Sequence, residues 1–259
     1  MKKAVGGALV AALLVTLAVL PVSGQSVQSV LDKMIQASGG RKAIEAVKDM
    51  TITGTIEMVQ MGMSAPLTMY QKEPNKMRID LDLSAFQAGL TFTQAFDGTK
   101  GWGTNQQTMV IEAMSEAQSK DISHQAMGNE ALLNPQKLGI TYALKPKATL
   151  EGKDYIVLEQ TLADGHKTTI FLDQATYLPY KTATTTLDPM SGAIIETESF
   201  AGDYRKVNGL MIAHSIRAFA SGTESQRITI STPACTDSLA STICRSSLAE
   251  DAQAHAPSA

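Results

Sequence analysis

The residues most suited to chemistry are the four histidines, which are scattered along the chain at His124, His166, His214 and His255. None stands in an H-E-x-x-H or H-x-x-E-H arrangement, the spacing with which helical histidines hold a catalytic zinc ion. The G-x-S-x-G nucleophile elbow, the P-loop and the G-x-G-x-x-G fingerprint are missing as well. We therefore predict no catalytic residue, no metal site and no cofactor, and we disfavour a zinc peptidase.

Two further groups of polar residues are candidates for catalysis. His214 could act as a general base with Asp203 as its orienting carboxylate, but nothing in the sequence brings a nucleophile to it. We interpret it as a strand-end histidine with a satisfied hydrogen bond. Asp80 and Asp82 lie on the same side of a predicted strand, where solubility explains them better than acid–base catalysis.

The cysteines are Cys235 and Cys244, both in a segment rich in Ser, Thr and Ala. An oxidising compartment would permit them to pair, and the sequence leaves a disulfide and two free thiols equally open. Histidines at ligand spacing do not accompany them, so a zinc site is disfavoured.

Composition and charge exclude several classes of protein. The hydrophobic content of 44% with 18% charged residues is typical of a globular domain. Lys and Arg number 22 against 25 Asp and Glu, which leaves a net charge of -3. Nucleic acid is not an expected partner, because duplex binding requires a concentrated basic face.

The first 24 residues have the features of an export signal. Lys2 and Lys3 precede an apolar run from Ala8 to Leu20, and small residues follow up to Gly24. The run is shorter than the roughly 20 residues that span a bilayer, so we predict a signal peptide cleaved near Gly24. Because no cysteine follows this point until Cys235, we expect an exported protein that is not lipid-anchored.

Helical periodicity appears in three places. Apolar residues recur at helical spacing between Ser26 and Ala37, and Gly39-Gly40 favours a stop there. A short helix is predicted from Arg41 to Val47. The segment from Ser115 to Leu133 is rich in helix-forming residues and predicts one or two helices.

Elsewhere the period is two. Met77, Ile79, Leu81 and Leu83 alternate with polar residues, which predicts a strand with one face toward water. Similar runs span 51–59, 67–71, 90–96, 154–162, 167–172, 181–187, 193–200, 210–219 and 226–231. Tight turns separate many of them. These patterns predict an antiparallel meander that curls into a barrel or a half-barrel, with helices that could cover its open face.

We expect a single domain over residues 25–231. From residue 232 to 259 the composition shifts to Ser, Ala, Thr and Pro without periodicity, which predicts a disordered low-complexity tail. A truncated last strand and a reading-frame change would both produce such a tail, and the two remain open.

Two segments carry a resemblance to a known family. Lys72-Glu73-Pro74-Asn75-Lys76-Met77-Arg78 is followed by Asp97-Gly98-Thr99-Lys100-Gly101-Trp102-Gly103-Thr104-Asn105. With the later runs from Leu172 to Pro179 and from Gly202 to Leu210, they resemble the LolA/LolB-like superfamily, outer-membrane lipoprotein-sorting proteins. The resemblance covers about Val27 to Ser231.

The resemblance implies a fold that is mainly β with helices: an antiparallel half-open β-barrel covered by α-helices. Its apolar concave face would shield lipoprotein acyl chains in the periplasm beneath a helical lid. It implies lipoproteins or lipids as partners, with transient contact with membrane-bound transport machinery. In the Gram-negative carriers an arginine before the motif proline helps to hold the lid, and here that position is Glu73. Lys72, Glu73 and Pro74 are therefore the lid candidates, although Lys72 in a strand would point to the opposite face.

The expected function is a periplasmic lipoprotein carrier or chaperone rather than an enzyme. A lipid-sensing regulatory module on the same fold is the alternative, and a hydrolase is disfavoured. Methionines are concentrated in the first strands, and such flexible side chains suit ligands of different shape. The predicted cavity residues are Met69, Met77, Ile79, Leu81, Leu83, Phe92, Phe96 and Trp102.

Overall fold

The fold is one antiparallel sheet carrying helices on one face, described by a computed structural model for residues 25–105, 107–188 and 191–236. The helices are α1 (Val27–Ala37), α2 (Arg41–Ala46), α3 (Glu116–Gln125) and α4 (Glu130–Leu133). The strands are β1 (Asp49–Met58), β2 (Met63–Lys72), β3 (Lys76–Asp82), β4 (Thr91–Phe96), β5 (Gly101–Thr104), β6 (Ile111–Ala113), β7 (Thr141–Leu150), β8 (Lys153–Thr161), β9 (Lys167–Asp173), β10 (Pro179–Leu187), β11 (Ile194–Val207), β12 (Leu210–Ala220) and β13 (Thr223–Thr236). Short 3-10 helices span Val59–Met61 and Pro135–Leu138.

The sheet is open and consists of two arms. Its strand order is β6-β5-β4-β3-β2-β1-β13-β12-β11-β10-β9-β8-β7, so β6 and β7 form its two edges. β1 pairs with both β2 and β13 and joins arm one (β1–β6) to arm two (β7–β13). α3 and α4 connect the two edge strands in sequence, and α3 contacts both β5 of arm one and β10 of arm two, so they cross the opening between the arms. We call α3, α4 and the loop between them the lid. The predicted half-open barrel with helices is confirmed.

Helix α1 packs on arm two and forms the largest hydrophobic cluster. Its residues Val30, Leu31 and Met34 are buried with Ile156 and Leu158 and others of β8 and β9. Ser26 caps the helix by accepting a hydrogen bond from the N–H of Ser29 at 3.1 Å. The helix face that the sequence pattern predicted is therefore the face that packs.

The turn after α1 explains the predicted stop. Gly39 has φ +127°, and any side chain there would overlap the carbonyl oxygen of Gly209. Glycine is therefore required both for the backbone conformation and for the close approach to the β11–β12 turn.

Three strands were not predicted. In β7 the proline at position 146 interrupted the sequence pattern. A register shift between Lys145 and Ala148 absorbs it, and edge strands tolerate a missing N–H. β5 and β6 are too short to show a clear alternation of apolar and polar residues, and glycine, which is uncommon in strands, occupies two of the four positions of β5.

The predicted domain end at Ser231 requires correction. β13 continues to Thr236 and pairs with β1 as far as Asp49. It pairs with β12 only up to Thr229, so Pro233 lies where the missing N–H is tolerated. The predicted signal peptide, the remaining tail and Cys244 lie outside the described residues, so the cysteine pairing stays open.

Candidate functional site

The strand register assigns the predicted cavity residues to faces of the sheet. Residues directly opposite each other in an antiparallel pair share a face. Leu81 lies opposite Phe92, and Met77 lies opposite Phe96. Met77 and Phe96 pack against Ile122 of α3, so this is the face that the helices cover, called the inner face here. The register places these residues on the inner face: Met69, Met77, Ile79, Leu81, Phe92 and Phe96.

An apolar surface on the inner face is made entirely by the sheet. Buried Ile56, Ala65 and Leu67 form its centre. Half-buried Ile79, Leu81, Leu83 and Ile228 surround that centre. Each of these residues lies on a strand or directly after one, and the surface crosses from arm one to β13 of arm two. We call it the strand-only surface. Leu83, another predicted cavity residue, is part of this surface and lies with Ile79 and Leu81.

The inner face also contains a groove beside this surface. It lies under the beginning of α3 and has a volume of about 490 Å³. Phe92 and Met114 supply apolar wall, while Gln94, Glu112 and Gln118 supply polar groups. A ligand with an apolar part and a polar part would find both kinds of contact there.

Trp102 is the exception among the predicted cavity residues. It lies opposite Ala95 and Ala113, and Ala95 lies opposite Arg78 on the outer face. The prediction that Trp102 lines the inner cavity is wrong, because one step along a strand moves a side chain to the other face. Gly101 and Gly103, its neighbours in the chain, occupy the inner side of β5. The side chain of Met114, just before α3, lies directly against Gly101.

The first attachment of the lid lies at the β2–β3 turn and is called the Glu73 attachment. Glu73 Oε1 accepts a hydrogen bond from the N–H of Asn129 at 2.9 Å. The carbonyl oxygen of Pro74 accepts one from the N–H of Gly128 at 3.0 Å. A carboxylate here accepts from the backbone of the α3–α4 loop, whereas an arginine would donate. Glu73 therefore binds the loop as a hydrogen-bond acceptor, where an arginine would bind as a donor.

Burial changes the ionisation of Glu73. It raises the pKa of this carboxyl above its ordinary 4.5, and the nearby Glu130 adds to the rise. The hydrogen bond from Asn129 and the charge of Lys48 act in the opposite direction.

Lys72, the other charged lid candidate, lies at the end of β2. In the sheet it is paired with Asp49 of β1 and Lys76 of β3.

The second attachment joins α3 to arm two and is called the histidine attachment. His124 Nε2 lies 2.9 Å from Asp164 Oδ2, and Lys120 Nζ lies 3.2 Å from the same oxygen. The His124 ring stacks on His166 with centroids 4.1 Å apart. Asp121 Oδ1 accepts a hydrogen bond from the N–H of Leu187 at 3.1 Å. Sequence reasoning missed this cluster, since its members come from separate elements.

The other predicted polar residues have structural partners. His214 is buried and its Nδ1 lies 2.9 Å from the carbonyl oxygen of Ile212, which agrees with a satisfied strand histidine. Asp80 is not simply solvated, because it binds Arg78 Nε and accepts from the Thr93 hydroxyl at 2.8 Å. Across residues 25–105, 107–188 and 191–236, no group of three or more histidine, cysteine or acidic residues could hold a metal ion.

Comparison with solved structures identifies the fold. A domain from Vibrio parahaemolyticus assigned to outer membrane lipoprotein-sorting proteins matches 81% of this chain and 93% of its own, at 15% identity and a TM-score of 0.55. A LolA superfamily protein from Nitrosomonas europaea matches 83% and 95%, at 16% identity and a TM-score of 0.54. This chain has the LolA-like fold.

Another match of this kind is a DUF1329 family protein from Desulfovibrio piger, which covers 82% of this chain and 94% of its own at 12% identity and a TM-score of 0.56. No protein-family model and no curated protein matches this sequence. At these identities the similarity establishes the LolA-like fold. The identity of the ligand has to be inferred from the residues of the site.

The two ends of the LolA-like sheet differ in polarity. Among the described residues, the exposed large hydrophobic side chains all lie at the end where β1, β3, β5 and β10 finish. They are Met61, Phe86, Met109, Val110, Leu138 and Ile194. We call this end the apolar rim. The helices within the described part of the chain are all too short or too polar to cross a membrane.

The outer face carries a groove of its own, with a volume of about 710 Å³. Arg78, Asp80 and several threonines line it, with Met109 and Val110 at the apolar rim. Because its floor is the hydrogen-bonded Arg78–Asp80 pair, this groove is less suited to an acyl chain than the inner face.

Proposed function

We propose that this protein is an exported periplasmic carrier that binds acyl chains of lipoproteins, or a similar apolar ligand, on the inner face of its sheet. The observation that carries the proposal is the strand-only surface. Its Ile79, Leu81 and Leu83 are half-buried, and an acyl chain would complete their burial. Each methylene removed from water would contribute roughly 0.8 kcal/mol, so binding needs no special polar group.

The apolar rim supports the delivery step of a carrier. Ile194 is 75% exposed and Met61 is 66% exposed. Exposed hydrophobic side chains gathered at one end of a molecule are typical of an interaction site. We propose that this rim makes the transient contact with membrane-bound transport machinery.

The binding test uses a fluorescent fatty-acid probe and the exported protein. Leu81→Asp places an unpaired charge on the strand-only surface and should weaken probe binding at least about tenfold. Leu81→Met is the matched control, because it conserves volume and polarity and should bind nearly as well as the wild type. Circular dichroism must show that the Asp variant is folded.

The register provides a second control. Trp102→Phe alters an outer-face residue and should leave probe affinity unchanged, since Trp102 does not face the ligand. Equal probe affinity of folded Leu81→Asp and wild-type protein would remove the inner face from the site. A loss of affinity in Trp102→Phe would move the site to the outer face.

A lipid-sensing regulatory module on the same fold remains the second candidate. Native mass spectrometry of protein recovered from its producing cells separates the two. A carrier should co-purify with lipid or a lipoprotein, whereas a sensor should co-purify with a stable protein partner. Recovery of the protein without either would count against both.

A further inference from the structure

The histidine attachment contains a polar atom that the rest of the contact does not satisfy. His124 Nε2 faces Asp164, whereas His124 Nδ1 is buried and has no hydrogen-bond partner. The neutral ring fits this site, with Nε2–H donating to Asp164 and a bare Nδ1. A second proton would bury an N–H group without an acceptor, which is costly.

The stacked partner makes protonation still less favourable. The two ring planes differ by 27°, so each imidazole lies over the other. His166 Nε2 is 2.8 Å from the Thr184 hydroxyl oxygen, which itself donates to the carbonyl oxygen of Lys167. That hydroxyl can therefore accept from His166 Nε2–H in the neutral ring. Charging both rings would stack two positive charges at 4.1 Å.

We propose that the histidine attachment is an acid-sensitive latch, which holds α3 on arm two at neutral pH and releases it when the stacked rings become protonated. The α3–α4 loop stays bound at Glu73, so the released helix exposes the inner face beneath it. The use of this motion for ligand transfer rests on the proposed function, but the motion itself is a property of the unliganded protein.

The direction of the pH effect follows from the groups that face His166. Burial lowers the pKa of His166 below its ordinary 6.5, and the nearby His124 and Lys120 lower it further. Asp164 and Asp121 oppose this shift without cancelling it. The closed state therefore binds fewer protons than the open one, and its stability falls as the pH drops below about 6.5. Asp164 does not cause the loss, because its pKa is also lowered and it stays ionised.

The test is hydrogen exchange on the exported, ligand-free protein at about pH 7.5 and about pH 5, with intrinsic rates corrected. Protection of α3 should fall at least about tenfold at the lower pH, because the closed state binds fewer protons than the open one. Protection of α4 and β8 should change far less. The double variant His124→Gln, His166→Gln keeps hydrogen-bonding groups that do not titrate, and it should lose the response. His255→Gln, outside the described residues, is the matched control and should keep it.

A spectroscopic measurement covers the case in which the double variant does not fold. The ring signal of His166 should titrate below pH 6.5 in the wild type. Equal α3 protection at both pH values, or an equal response in wild type and folded double variant, would overturn the latch. Because no ligand is present, this failure is distinct from a failure of probe binding.

Discussion

The Glu73 attachment and the histidine attachment hold the lid by different chemistry. At the Glu73 attachment, a carboxylate and a carbonyl oxygen accept from successive backbone N–H groups of Asn129 and Gly128. At the histidine attachment, side chains of α3 meet side chains of the β8–β9 turn. Backbone contacts depend on close fit, whereas side-chain contacts between imidazoles depend on the protonation state. The Glu73 attachment thus depends on close fit, and the histidine attachment depends on the protonation state of its side chains.

Acid should act oppositely at the two attachments. The raised pKa of Glu73 means that its folded state binds protons more readily, so its burial cost is relieved as the pH falls through that pKa. The lowered pKa of His166 means that acid weakens the other attachment. Mild acid is therefore expected to open the lid from the α3 side.

The largest expected effect is that of Gly128→Ala, which disrupts the close fit at the Glu73 attachment. A methyl group there would overlap both the Glu73 carboxylate and the Pro74 carbonyl oxygen. Urea unfolding should show a loss of about 2–3 kcal/mol, the upper part of the usual range of about 1–3 kcal/mol for overpacking. Gly202→Ala is the matched control because no atom lies near its added methyl group. Similar losses in the two variants would show that the close fit at Gly128 is unimportant.

Removal of the acceptor at the same attachment should have the next largest effect. Glu73→Ala leaves the N–H of Asn129 without its partner and should cost about 1–3 kcal/mol in unfolding free energy. Glu73→Gln keeps an acceptor oxygen and should lose less at neutral pH. Since Gln does not titrate, this variant should also lack the stability that the wild type gains as the pH falls toward 4.5. If the Ala and Gln variants unfold alike, acceptance by Glu73 is not what holds the loop.

A smaller effect on stability is expected from Asp164→Asn at the histidine attachment. The amide oxygen still accepts from the N–H of His166, but the charge that attracts His124 and Lys120 is gone. We expect a loss of about 1 kcal/mol near pH 7. Because the pKa of Asp164 is lowered, the wild type should keep this advantage above about pH 3.8 and lose it progressively as the pH falls below that value. An unchanged unfolding free energy near pH 7 would contradict this role.

The smallest effect belongs to Lys120→Met. The Lys120 side chain is 58% exposed, so its ion pair with Asp164 is screened by water and salt. The unfolding free energy should fall by at most about 0.5 kcal/mol, and this difference should vanish in high salt. A loss as large as that of Asp164→Asn would show that Lys120, rather than His124, holds α3 on arm two.

Local periodicity predicted most elements because burial on one face imposes a repeat that is visible along the chain. Val30, Leu31 and Met34 pack as their helical spacing indicated. Met77 and Leu81 share the face that their alternation indicated. β7 was missed because the register shift that accommodates Pro146 depends on its place at the sheet edge.

The sequence by itself determined a curled antiparallel sheet and the apolar side of β3, since both follow from short-range patterns of burial. Only the tertiary structure decided which face Trp102 occupies, because strand register depends on the partner strands. It alone joined His124 to His166, and Glu73 to Asn129. Such contacts link segments far apart in the chain, and their residue types are compatible with many other partners until the arms and the lid are assembled.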